Sequence, residues 1–173
     1  QPIVERYAKK GVKKTVRVLV AGIPNTGKST FINCVAGRAR AKTGDRPGVT
    51  KGKQWVSITP YLELLDTPGI LWPKLENERD ALHLAYLGSI RDETMDTEEL
   101  CGKLLEEVRD IDPSHIQDRY GIDCEGTGYE LLLRIAKKRR FVAAGGEPDT
   151  ARAAGVVLDE FREGKQGRIT LEH

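Results

Sequence analysis

The stretch Gly22-Ile23-Pro24-Asn25-Thr26-Gly27-Lys28-Ser29 limits what this chain can fold into more than any other. Gly, four residues, then Gly-Lys-Ser is the pattern of a phosphate-binding loop. A hydrophobic run of strand length, Val16 to Ala21, precedes it, and a helix-permissive segment, Ser29 to Ala36, follows. The glycines let the backbone wrap closely around an anion, with several N–H groups pointing inward. The helix N-terminus adds the positive end of its dipole. Lys28 is expected to reach the outer phosphates and the Ser29 hydroxyl to bind Mg²⁺. Pro24, Asn25, Thr26, Gly27 and Thr30 complete the expected nucleotide-binding set. A Gly-rich strand–helix turn without a ligand is the bland alternative, and the agreement of pattern and context argues against it.

Two further motifs follow at telling distances. Asp66-Thr67-Pro68-Gly69 closes the second of two short strand-like runs, Gln54 to Thr59 and Tyr61 to Leu65, which meet at a tight antiparallel turn at Pro60. In a phosphate-loop protein, an Asp at that strand end holds Mg²⁺ through water, and the Gly69 amide can sense a terminal phosphate. Alone, this tetrapeptide is only a good turn. Thr50, in Arg46-Pro47-Gly48-Val49-Thr50, lies in a long polar, basic loop from Arg38 to Lys53. A Thr placed there can complete the Mg²⁺ shell and order the loop around a triphosphate. Lys51 and Lys53 could contact phosphate but read better as solvated loop charges or RNA contacts.

The whole chain bounds these readings. With 39% hydrophobic and 31% charged residues, its 173 residues are globular rather than disordered and suffice for one domain or two small ones. Net charge is only +2, so polyanion binding needs a local patch. Cys34, Cys101 and Cys124 are odd in number and far apart, so neither a disulfide framework nor a zinc site is expected, and a cytoplasmic, reducing location fits. The apolar runs are too short for a membrane span. The chain starts at Gln1 in what reads as a helix tail (Val4 to Lys10) and ends Leu171-Glu172-His173, which looks like a tag remnant; a piece of a longer protein is expected.

Val16, Val18, Leu19 and Val20 suit a central strand covered on both faces. From about Asp92 strands vanish. Helices are expected from Asp96, with Leu100, Leu104, Leu105 and Val108 as one stripe, from Asp112-Pro113 to Tyr120, from Tyr129 to Arg140, and from near Asp149. Glu78 to Ile90 reads as a helix before that change. His83 and His115 lie on expected helices without partner ligands and read as surface or core-packing residues.

Gly22 to Thr30, Pro47-Gly48-Val49-Thr50-Lys51-Gly52-Lys53-Gln54-Trp55 and Asp66-Thr67-Pro68-Gly69-Ile70-Leu71-Trp72-Pro73-Lys74 together resemble the circularly permuted ribosome-assembly GTPases. The similarity reaches Leu87-Gly88-Ser89-Ile90, Arg119-Tyr120-Gly121 and Gly164-Lys165-Gln166-Gly167-Arg168-Ile169, and so covers nearly the whole chain. The guanine-reading Asn-Lys-x-Asp of an ordinary GTPase has no counterpart after Asp66, where Ile116-Gln117-Asp118-Arg119-Tyr120 stands. In the permuted family that motif lies upstream of the phosphate loop. The implied fold is α/β: residues 1–93 as the C-terminal portion of a permuted phosphate-loop GTPase domain truncated upstream, and 94–170 as an all-helical RNA-binding domain, with 171–173 as tag remnant.

The implied activity is GTP hydrolysis in a switch for large ribosomal subunit assembly, with GTP/GDP, the subunit precursor and ribosomal RNA as partners and a monomer when full length. Ile70 stands where many GTPases carry a water-orienting Gln, so the catalytic residue is unknown and hydrolysis should be slow until a large partner stimulates it. In related potassium-activated GTPases an Asn at the position of Asn25 helps hold a monovalent cation, so K⁺ joins Mg²⁺ as an expected cofactor; the plain reading is that Asn25 only tolerates the loop backbone. Mg²⁺ is expected at Ser29, Thr50 and Asp66. Arg134, Lys137, Lys138, Arg139 and Arg140 put five basic residues in seven. They read as a solvated face or as an RNA phosphate contact. With only Tyr129 and Phe141 nearby, folded RNA fits better than single strands. Two other classes stay open on the residues alone: a phosphate-loop kinase of a small molecule, and an RNA-binding adaptor with an idle nucleotide site.

Overall fold

The computed structural model describes residues 15–37, 50–71, 77–90 and 96–172. The expected helix at 4–10, most of the long basic loop, the Trp72-Pro73 segment and His173 lie outside the described residues. The chain forms two compact units, Gln1–Lys74 and Leu75–His173.

The first unit holds β1 (Val16–Val20), α1 (Lys28–Ala36), β2 (Gln54–Thr59) and β3 (Leu62–Asp66). β2 and β3 are antiparallel neighbours, and β1 joins β3 in parallel, giving the order β1-β3-β2. The expected hairpin is there. The expected central strand is not: among the described residues β3 is central and β1 is an edge, with Leu19 61% exposed. An apolar run reports that both faces can be buried, not which neighbours a strand has. Ile32 of α1 packs on Val56 and Leu64, flanked by Val20, Ala36, Ile58 and Leu62. Register sets the site: Val20 lies opposite Asp66, so the loops leaving β1 and β3 start at the same carboxyl edge of the sheet. That edge is where open α/β sheets bind ligands.

The second unit comprises α2 (Glu78–Tyr86), α3 (Thr97–Ile111), α4 (Ser114–Tyr120), α5 (Gly128–Lys138) and α6 (Thr150–Arg162). Leu100, Leu104, Leu105 and Val108 form the expected buried stripe of α3, facing Leu131, Leu132 and Ile135 of α5 and Ala153, Val157 and Leu158 of α6. α3 and α5 cross at glycines: a Cβ on Gly128 would stand 2.1 Å from the Gly102 carbonyl oxygen. Nothing larger fits there without moving backbone.

Helix ends follow their capping chemistry. Asp96 accepts from the amides of Glu98 and Glu99 at 2.8 and 3.2 Å. Thr127 and Glu130 form a reciprocal capping box that starts α5 ahead of the expected Tyr129. α2 is shorter than expected because Gly88 takes φ 64 just past its end. The Arg162 guanidinium then donates to the carbonyls of Tyr86 and Ala85 at the end of the helix, at 2.9 and 3.1 Å. Because Ala85 and Tyr86 join the helical core, the compact units divide before α2, whereas the sequence suggested a change of character near residue 93. α5 likewise ends at Lys138, since Arg140 takes φ 56 and closes the helix with Phe141 N–H donating to the Ala136 carbonyl. Leu171, expected to be tag, packs against the helical core, and its carbonyl accepts from Arg79 Nη2 at 3.3 Å.

Candidate phosphate-binding site

The loop from Gly22 to Gly27 joins β1 to α1 as the pattern requires. Gly27 takes φ 75 and Asn25 φ 58, both left-handed, which glycine and asparagine tolerate best. The first turn of α1 carries no acidic residue, and no side chain caps it, so its dipole end meets the loop unopposed. Thr26 Oγ1 donates to the Ile23 carbonyl at 2.9 Å, and Lys28 Nζ donates to the same oxygen at 2.5 Å. Lys28 thus lies along the loop. Burial lowers its pKa from the ordinary lysine value, and the Asp66 carboxylate works against that shift. A partly desolvated cation beside backbone N–H groups is what an incoming phosphate needs.

Three side chains from three separate motifs meet beside the loop. Ser29 Oγ donates to Asp66 Oδ2 at 2.8 Å and lies 3.1 Å from Thr50 Oγ1. Asp66 is 1% exposed, and its Oδ1 is buried with no hydrogen-bond partner. Such an orphaned carboxylate oxygen is costly unless a cation or a bound water answers it. The donor set fits Mg²⁺: hard oxygens only, one carboxylate and two hydroxyls, leaving positions for water and phosphate. Among the described residues no group of three or more His, Cys, Asp or Glu could hold a metal by itself, which separates this site from the usual transition-metal centres.

Gly69 and Ile70 complete the site's rim. The Ile70 N–H donates to the Gly22 carbonyl at 3.2 Å, and its side chain is 70% exposed. Gly69 presses so closely on the loop that a Cβ there would sit 2.3 Å from Pro24 Cα. Thr30, on α1, is exposed. The structure places Thr50 and Asp66 within hydrogen-bonding reach of the Ser29 hydroxyl, with Lys28 and Gly69 against the same loop.

The sequence profile described as "50S ribosome-binding GTPase" matches residues 17–118. The chain belongs to this family. It is 39% identical over 170 residues to ribosome biogenesis GTPase A of Bacillus cereus, an alignment that takes in 97% of this chain and 57% of that protein. The chain therefore spans little more than half the length of that relative. Two solved structures are similar: a GDP-bound YlqF, with TM-score 0.60, 31% identity and coverage of 100% of this chain and 67% of that one, and a GNP-bound YlqF from T. maritima, with TM-score 0.58 at the same identity, covering 100% and 66%.

In this member of the 50S ribosome-binding GTPase family the five-residue basic run does not act as one face. Arg134 pairs with Asp123 at 3.0 Å and also donates to the Glu125 carbonyl. Arg139 pairs with Glu160 at 3.1 Å and lies 5.3 Å over the Tyr120 ring. Lys137, Lys138 and Arg140 are exposed. Glu160 itself escaped the sequence reading. It is buried, and takes Arg119 Nη2 at 2.6 Å as well as Arg139. Burial alone would raise its pKa; the hydrogen bonds from Arg119 and Tyr120 and the charge of Arg139 outweigh burial and lower it. The signal was available, since Ala153, Val157 and Glu160 share one helical stripe. The same network explains two of the segments that carry the resemblance: Gln166 Nε2 donates to the Tyr120 hydroxyl at 2.9 Å and to the Val157 carbonyl at 3.0 Å, joining Arg119-Tyr120-Gly121 to the Gly164–Ile169 tail.

Proposed function

We propose that this chain is the phosphate-reading part of a GTP-hydrolysing switch, of circularly permuted order, that works in assembly of the large ribosomal subunit. The observation that carries the proposal is the convergence of three motifs on the Ser29 hydroxyl, with Thr50 Oγ1 at 3.1 Å and Asp66 Oδ2 at 2.8 Å. The family and the name of the Bacillus cereus relative support the GTPase and ribosomal parts. They leave the small-molecule kinase and the idle adaptor without support.

Mg²⁺, when bound by Ser29, Thr50 and Asp66, supplies charge neutralisation at the phosphates. Lys28 and the loop amides bind and orient the phosphate chain. The Gly69 amide is the donor for a terminal phosphate. Ile70 offers no hydrogen bond to water and points outward, so it orients nothing, and basal turnover is slow. A ribosomal partner supplies the missing order. Asn25 also takes a monovalent cation, K⁺, on this reading, although its left-handed backbone already accounts for an asparagine there. Equal turnover in sodium and potassium would remove the K⁺ role. Lys137, Lys138 and Arg140 contact RNA phosphates of the subunit precursor, in a cytoplasmic setting.

Titration with fluorescent GDP and ADP tests the reading. This chain is expected to bind both through their phosphates, and a preference for GDP is expected only of a protein that also carries the guanine-reading motif found upstream of the phosphate loop in the permuted family. No binding of either would remove the nucleotide site.

A further inference from the structure

Thr67 takes no part in holding phosphate or metal. Yet it is buried, and its hydroxyl donates to the Val20 carbonyl at 2.8 Å. Val20 ends β1 and stands opposite Asp66, which ends β3. The Thr67 bond therefore extends the β1–β3 ladder by a side chain where main-chain pairing stops. On the far side of the same turn, the Ile70 N–H donates to the Gly22 carbonyl at 3.2 Å. Between these two ties sits Gly69, whose missing Cβ would stand 2.3 Å from Pro24 Cα and 2.4 Å from Pro24 N. The segment after β3 is thus tied on both sides of Gly69, to the end of β1 through Thr67 and to the phosphate loop through Ile70, and rests on Pro24 beneath it.

We propose that Thr67 is a positioning residue that holds the Gly69 amide against the phosphate loop, so that the site discriminates a terminal phosphate from its absence. The inference rests on the nucleotide reading of the same site. A donor fixed before the ligand arrives loses little conformational entropy on binding, whereas a floating one must first be ordered. A diphosphate makes no use of that donor. Thr67 therefore acts on triphosphate affinity and leaves diphosphate affinity alone. Pro24 is the stop that sets how near Gly69 can come, because the clash would be with its backbone and its closed ring, neither of which can turn away.

The test is a titration of the 173-residue chain with mant-GDP and mant-GMPPNP in Mg²⁺, comparing wild type with Thr67→Val and Thr67→Ser. Thr67→Val keeps the shape and removes the hydroxyl; it should weaken mant-GMPPNP binding about tenfold, a usual size for a coupling between two sites, while mant-GDP stays within about twofold. Thr67→Ser keeps the hydroxyl and should restore the preference. Both affinities come from one preparation, so a loss of folded protein lowers the signal of each without changing their ratio. Equal weakening of the two ligands, no change in their ratio, or failure of serine to restore it overturns the proposal while the nucleotide site stands. Wild type that binds neither ligand removes the nucleotide reading and this proposal with it.

Discussion

Lys28 and Ile70 sit on the same site and should respond to truncation in opposite ways. Lys28 is partly desolvated beside the phosphate loop, so Lys28→Ala should cost about 10²-fold or more in GTP turnover, the usual scale for losing a preorganised electrostatic contact. Ile70 is largely exposed and offers no polar group, so Ile70→Ala should leave basal turnover within about threefold, because it held no group in the transition state. Steady-state phosphate release measures both, and an Ile70→Ala loss as large as that of Lys28→Ala would contradict these roles. Glu160 makes a separate statement at this scale. Its pKa is lowered in the folded state, so its pairing contributes stability above the ordinary glutamate range, and that contribution is lost as pH falls through the lowered folded value. Glu160→Gln should cost about 3 kcal/mol near neutral pH, at the lower end for a broken buried pair because Arg119 and Arg139 keep some contact with water. It should also flatten the acid limb of stability against pH. Urea unfolding at several pH values reads both effects.

The end of α5 divides a basic run that reads as one patch in the sequence. Five basic residues in seven look like one patch, but the helix stops at Lys138, and Arg134 and Arg139 turn to acidic partners. Replacing Lys137, Lys138 and Arg140 by Ala should weaken binding to ribosomal RNA and lower the salt slope by about 2 to 3, roughly one per lost phosphate contact, with unfolding unchanged. Arg139→Ala should do the reverse: RNA binding nearly kept and the helical unit destabilised. Filter binding across a salt series with a parallel melt distinguishes them. What was legible in the sequence was local. The hairpin at Pro60, the caps at Asp96 and Asp149, the buried stripe of α3 and the meeting of Ser29, Thr50 and Asp66 all follow from short-range patterns or motif order. What was not legible depended on partners distant in sequence. β1 reads as central because its residues are apolar, yet its neighbours are set by the crossover to β3. The Thr67 tie to Val20 and the Arg119–Glu160–Arg139 cluster join residues many positions apart, and no local pattern carries them.

For the whole molecule, cysteine reactivity offers a map of folding. Cys34 is exposed on α1, and Cys101 is buried in the helical core with its thiol pushed up to about 12 by burial and, less, by Glu98. Cys34 should label with iodoacetamide at once, and Cys101 only when the helical unit unfolds. Mass spectrometry of peptides from partly labelled protein reads each site, and early labelling of Cys101 in native buffer would contradict the packed core. No helix among the described residues is long and apolar enough to cross a membrane. Ser29, Thr50 and Asp66 are proposed to form one Mg²⁺-dependent triphosphate site beside the loop. Mant-GMPPNP titration of wild type and Asp66→Asn, each in Mg²⁺ and in EDTA, reads that dependence. Wild-type binding should weaken at least about tenfold in EDTA, a step of about 1.4 kcal/mol, and Asp66→Asn should be weak in both buffers. Wild-type affinity that is the same with and without Mg²⁺, or an Asp66→Asn protein that keeps the wild-type response, would contradict it.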